Sequence, residues 1–154
     1  MLFLVFQLDQ DRYAIEATQV VAVLPRVTAK AIPRSPAAVL GAFDYHGEPV
    51  PLIDLSRLAL GRAALPRLST RIVVVLYPGG DGGSRMLGLV AEQVVETTRR
   101  DPGDFVPSGI SNPDAPYMGP VATDVHGLLQ WVRVERLLPD PVRELLFKQP
   151  VESG

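Results

Sequence analysis

The stretch FDYHGEPVPLID, from Phe43 to Asp54, sets His46 among Asp44, Glu48 and Asp54. A histidine flanked by carboxylates has the makings of a metal site or an acid–base pair. His46 and Glu48, two residues apart, would share one face of a strand and could offer two ligands to a divalent ion. No third ligand follows at a recognisable spacing. The chain has no cysteine, so a thiolate zinc site, a cysteine nucleophile and a disulfide scaffold are excluded. A small hydrolase or metal-dependent enzyme using His46, Glu48 and Asp54 is one reading of this stretch. A histidine–glycine turn entering a strand is the other.

Other candidate chemistry is thinner. GGDGGS, residues 79–84, is glycine-rich but lacks the lysine of a phosphate loop and joins two apolar runs, so it reads as a hairpin tip. SGISN, residues 108–112, is not a nucleophile elbow. Glu92 and Glu96 could pair as carboxylates, although a solvated strand face explains them more simply. TTRRD, residues 97–101, reads as a surface loop too short to bind a polyanion.

The elements that would position these residues are short. Prolines number 15 in 154 residues, about twice the usual ~5%, and they are scattered, which favours strands and turns over long helices. Leu2 to Leu8 and Ile72 to Tyr77 are β-branched or aromatic runs of strand length. Asp54 can cap a short helix over Leu55 to Leu60 that Gly61 ends. Asp140 and Pro141 open a terminal helix running through Val142 to Phe147. Residues 61–69 form the connector between two halves, and residues 148–154 should fray. Pro49 and Pro51 each withdraw a ladder donor, which points to an edge or a bulge.

The halves repeat. RYAIEATQVVAVL from Arg12 aligns with MLGLVAEQVVETT from Met86, placing Gln19 on Gln93. VPLIDLSRL from Val50 then aligns with LQWVRVERL from Leu129. Both histidines, His46 and His126, precede a glycine just ahead of these later strands, as hairpin turns would require. Two β units of this size, each marginal alone, would pack together and leave a groove between them.

Charge and hydropathy limit the partners. The net charge is −2, with 21% charged and 47% hydrophobic residues, which gives no basic footprint for nucleic acid. No apolar run reaches the ~20 residues of a membrane span, and the N-terminal MLFLVFQL lacks the flanks of a signal peptide. A soluble cytoplasmic chain is expected. Apolar residues crowd where alternation cannot bury them all: Val20 with Val21, and Val39, Leu40, Phe43 and Tyr45 within seven residues. These point to a surface that binds other proteins.

FLVFQLDQDRYAIEATQVVAVL, followed by IPRSPAAVLGAFDYHGEPVPLIDL, resembles the opening half of a CheW-type coupling protein. LGLVAEQVVET and the closing LLQWVRVERLLPDPVRELL resemble its second half, so the likeness covers about residues 3–147. It implies an all-β fold with short helices: two intertwined five-stranded SH3-like β-barrels and a C-terminal helix. Residues 1–147 would be one domain, with barrels at approximately 1–68 and 69–138 exchanging elements, a helix at 140–147 and a tail beyond. It further implies an adaptor without enzymatic activity, cofactor or metal. Such adaptors bridge the cytoplasmic tip of a chemoreceptor to the regulatory domain of a CheA-type histidine kinase, in the cytoplasm and in association with membrane-bound receptor complexes.

Matching motifs places the receptor-facing surface at Val20, Val23, Val39, Leu40, Phe43, Tyr45 and His46, and the kinase-facing surface at Val94, Val95 and Tyr117. Two departures fall on the receptor side. His46 stands where the family usually has arginine, and Ala22 stands where an acid is frequent. With STRIVVV, NPDAPYMGPVATD and VERLLP, the chain is similar to adaptors of Wsp-type surface-sensing pathways, whose output is cyclic-di-GMP.

Overall fold

The computed structural model describes residues 1–78, 83–94 and 96–147. The first four residues of the glycine-rich tip (79–82), Val95 and the tail from 148 lie outside the described residues.

The β-branched and aromatic runs become β1 (Leu2–Leu8), β2 (Asp11–Glu16), β3 (Val20–Pro25), β4 (Val39–Tyr45) and β5 (Glu48–Asp54), followed by helix α1 (Leu55–Leu60). The second half supplies β6 (Arg71–Pro78), β7 (Ser84–Ala91), β8 (Glu96–Arg99), β9 (Met118–Asp124) and β10 (Gly127–Val132), then helix α2 (Asp140–Phe147). Residues 97–99, expected in a loop, lie in β8, where Leu2 to Val5 of β1 pair with Glu96 to Arg99. Pairing with an apolar neighbour overrides the polar composition.

One sheet runs β8-β1-β2-β10-β9 and the other β3-β6-β7-β5-β4. Exchanging each strand for the one five places along the chain turns either order into the other, so the sequence repeat is a repeat of topology. Each sheet takes its leading hairpin from one half and its remaining three strands from the other. Backbone contacts repeat as well. The Asp54 N–H donates to the Ala38 carbonyl at 2.8 Å, and the Arg133 N–H donates to the Tyr117 carbonyl at 2.7 Å. Lys30 bridges Ala42 of β4, and Val106 bridges Val121 of β9. Lys30 and Val106 lie on the segments that continue β3 and β8, so each bridge closes its sheet toward a barrel.

β5 is not an edge strand: it lies between β7 and β4. Its parallel pairing with β7 begins only at Leu52, however, so Pro49 and Pro51 occupy the end that has β4 as its one neighbour. At that end the two nitrogens that lack a hydrogen interrupt no pairing with β7.

The core falls into three clusters. β1 sends Phe3 and Val5 into its own barrel and Leu4, Phe6 and Leu8 to a central core. β6 does the same with Ile72 and Val74 against Val73, Val75 and Tyr77. The central cluster is the largest, so the junction is a packed interface, where sequence alone suggested a groove. Two small barrels each bury too little alone, and a shared core supplies the remainder, at about 1.5–3 kcal/mol per buried aliphatic side chain. In the first barrel Phe3, Phe105 and Trp131 pack mutually, with ring centroids 4.9–5.3 Å apart.

Candidate docking surfaces

The His46 question resolves at the β4–β5 hairpin. His46 has φ 51° and Gly47 φ 87°, the pair of left-handed conformations that a two-residue type I′ turn demands. The Asp44 carboxylate accepts from the Gly47 N–H at 2.8 Å and locks the turn. The second hairpin is built differently. Its turn residues are Val125 and His126, and the positive φ falls on Gly127, so the topological counterpart of His46 is Val125. The two histidines do not occupy equivalent positions. His46 is exposed, with its ring edge-on to Tyr45 at 4.5 Å.

Asp54 does not face His46. It is 1% exposed, and its carboxylate accepts from the N–H groups of Ser56, Arg57 and Ala64. It caps α1, as its sequence position predicts, and its acceptor capacity is taken up by backbone. Among the described residues no cluster of three or more histidines or carboxylates could hold a metal ion. The enzyme reading therefore loses its third residue.

Glu92 corrects the expectation of a solvated face. It is buried, and its carboxylate accepts from the Ser56 hydroxyl and, at 2.9 Å, from Arg62, which also reaches Asp9 at 2.6 Å. Both acids hold Arg62 in its charged form. The residue sits where the chain passes from one sheet to the other, and desolvation is offset by these donors.

The receptor-side residues divide by burial. Val39 and Phe43 are each 6% exposed and belong to the cores, so as contact residues they are withdrawn: their side chains hold β4 in place and offer a partner nothing. Val20 is half-buried against the central core, and Leu40 and Tyr45 pack partly against the second barrel's interior. Val23 and His46 are exposed. β3 carries a bulge between Val20 and Ala22, which resolves the Val20–Val21 doublet: Val20 turns inward and Val21 is 42% exposed. Val23, 37% exposed, stands opposite Val73 on the face of the sheet that forms the central core, beyond the core's edge. Alternation requires one valine of the doublet to face outward but cannot say which, because a bulge cannot be read from it.

On the kinase side, Val94 and Tyr117 are 2% and 7% exposed and pack in the central core, so they too are withdrawn as contact residues. Burial pushes the Tyr117 phenol pKa up. Val95 lies outside the described residues. The first barrel exposes other apolar residues: Val125, Leu128, Val106, Ile110 and Met118. Beneath the hairpin tip, Asp124 receives Arg12 at 2.5 Å, Arg100 at 2.7 Å and the His126 N–H at 2.8 Å. Burial opposes its ionisation, but these donors outweigh it and hold the carboxyl down to about 2.

The family model for the CheW-like domain matches residues 2–142. Protein FrzA of Myxococcus xanthus is 32% identical over 107 residues, covering 68% of this chain, and the match spans 62% of that relative's length. The crystal structure of the scaffolding protein TtCheW from Thermoanaerobacter tengcongensis superposes with a TM-score of 0.81 at 21% identity, covering 94% of this chain and 92% of that one. The two-sheet fold is thus shared with that structure. No helix among the described residues is long and apolar enough to cross a membrane.

Proposed function

The chain belongs to the CheW-like domain family, whose members are scaffolds and not enzymes, and from that premise we propose that it couples a chemoreceptor's cytoplasmic tip to the regulatory domain of a CheA-type histidine kinase. The observation that carries this reading is the open edge of β3, where Val21 and Val23 face solvent at the rim of the central core. Exposed valines on a sheet edge are a liability unless a partner covers them. The hairpin tip with Tyr45 and His46 belongs to the same barrel. The first barrel would meet the kinase, through exposed residues such as Leu128 and Met118 in place of Val94 and Tyr117.

Catalysis has no part in this role, and the protein works by holding two partners at once, in the cytoplasm beside membrane-bound receptors. The proposed setting is a Wsp-type pathway with cyclic-di-GMP output, which deletion of the gene and measurement of cyclic-di-GMP would test. The primary test is capture by an immobilised receptor tip and, separately, by the kinase regulatory domain. Val23→Asp should lose about 30-fold in receptor affinity, since a buried apolar anchor is worth about 2 kcal/mol. Its kinase affinity should be unchanged. Failure of the wild-type protein to bind either partner rejects the reading.

A further inference from the structure

Immediately after β3 the chain forms a strap, residues 26–38, that returns to β4. Three observations define it. First, it is pinned. The Lys30 N–H donates to the Ala42 carbonyl at 2.8 Å, the Ala42 N–H donates back at 3.0 Å, and Ala29 and Ile32 pack partly into the cores. A Cβ at Gly41 would lie 1.9 Å from the Lys30 carbonyl oxygen, and Gly41 itself has φ +132°, so only glycine lets the strap press this closely on β4. Second, it is basic. Between Ala17 and Phe43 the sequence has no carboxylate, while Arg26, Lys30 and Arg34 are all exposed. Among the described residues none of these three takes part in an ion pair; the pairs that exist use Arg12, Arg62, Arg100 and Arg143. Third, it adds to the exposed apolar residues of β3: Val27, two residues past the end of that strand, is 47% exposed, as Val21 and Val23 are at 42% and 37%.

We propose that this face recognises an acidic protein segment bearing apolar side chains, which would lay those side chains on Val21, Val23 and Val27 and its carboxylates against Arg26, Lys30 and Arg34. The inference deepens the adaptor reading and rests on it: it names the chemistry the receptor side should carry. Unpaired cations on a chain whose net charge is −2 concentrate a local field of the opposite sign. Held on a fixed strap, they need little ordering on binding. Charges at the rim of an apolar contact set partner choice and association rate more than the final affinity. A lipid surface fits less well, since the apolar residues lie along a strand and its continuation and present no amphipathic helix for insertion.

The test uses the whole chain with three probes: a Glu/Leu peptide, its Lys/Leu counterpart, and vesicles containing phosphatidylglycerol. The Glu/Leu peptide should bind. Its affinity should fall about tenfold or more when salt rises from about 50 mM to about 500 mM. A triple variant, Arg26→Gln, Lys30→Gln and Arg34→Gln, should show a similar loss with an unchanged melting temperature. No binding of the Glu/Leu peptide, equal binding of the Lys/Leu peptide, equal binding by the triple variant, or a preference for the vesicles each overturns the proposal. Receptor capture separates the two levels. If the receptor holds wild type and triple variant alike, the adaptor reading stands and the acidic partner falls. If it holds neither, the adaptor reading falls while the peptide result still decides the charge.

Discussion

β3 and β8 hold the same place in the repeat, yet they are made of opposite materials. Each lies at the edge of its sheet and pairs with the leading hairpin of the other half. β3 reads VVAVLP and is held by side chains, with Val20 on the central core and Ala22 and Leu24 on the barrel interior. β8 reads ETTR and is held by its ends. The ion pair of buried Glu92 with part-exposed Arg62 stands before it, and Met1 and Arg100 exchange backbone hydrogen bonds after it. Thr97 and Arg99 stand opposite Leu4 and Leu2, with Thr97 on the central-core side as Val23 is. One topological position therefore takes either a greasy edge or a wet one, and sequence alone decides. A wet edge can face water without risk, whereas a greasy edge asks for a partner.

The sharpest way to break the comparison is at the crossovers. Arg62→Ala leaves Glu92 buried with the Ser56 hydroxyl as its one side-chain donor. Glu92 is the buried member of the pair and Arg62 the part-exposed one, so the loss comes from an acid left in the interior with one of its side-chain donors removed, and Arg62→Ala should destabilise the protein. The loss should read as a clear fall in Tm, the largest effect among these variants. The matching crossover, a 3-10 turn at Ala17–Gln19, has no side-chain cap and only an exposed Thr18–Glu16 hydrogen bond. Thr18→Ala should change stability by less than about 0.5 kcal/mol. Equal losses in thermal denaturation would mean that β8 and β3 are anchored alike.

A graft sharpens the same contrast. Thr97→Val with Arg99→Val gives β8 the surface of β3, adding about 2 kcal/mol of apolar association free energy. The variant, with two such edges, should self-associate more than the wild type in sedimentation experiments. A variant that associates no more than the wild type would show that exposed valines on an edge do not suffice, and would weaken the case for β3.

The acid limb of stability separates the barrels further. Asp124 is ionised more readily in the fold than in the unfolded chain, where its value is near 3.8. A depressed carboxylate stabilises the fold fully above about pH 4, and that contribution is lost as pH falls through about 2. The first barrel, with Arg12 and Arg100 on one carboxylate, should loosen in that window. Asp124→Asn should cost about 1–2 kcal/mol at neutral pH, after screening of this partly exposed pair, and should flatten the acid limb. An unchanged acid profile would assign the acid limb to other carboxylates.

Much of this architecture is legible from residue type. The strands follow β-branched runs, Asp54 and Gly61 bracket α1 as side-chain capping and a left-handed terminus require, and the repeat shows in Gln19 and Gln93. What stayed hidden depends on neighbours distant in sequence. Nothing in AEQVVET marks Glu92 as buried, because its partners Ser56 and Arg62 arrive from another element. Val94 and Tyr117 look as exposable as Val23, and only the shared core between the barrels distinguishes them. The histidine-glycine pairs mislead for a local reason, since a one-residue shift in hairpin register moves His126 off the position that His46 holds.

The smallest effect concerns that shift. A non-glycine residue at φ 51° carries backbone strain, and asparagine followed by glycine is the pair that suits a type I′ turn best. His46→Asn should therefore stabilise the protein by about 0.5 kcal/mol, while Val125→Asn at the other tip, where the positive φ falls on Gly127, should gain less. Receptor capture supplies the second readout. If His46→Asn gains stability and loses receptor affinity, the imidazole is kept for contact at a cost in turn strain. If it gains stability and binds as before, His46 is a turn residue and the docking face narrows to β3 and its strap. The same substitution thus decides whether the two hairpin tips differ only in register or also in what they touch.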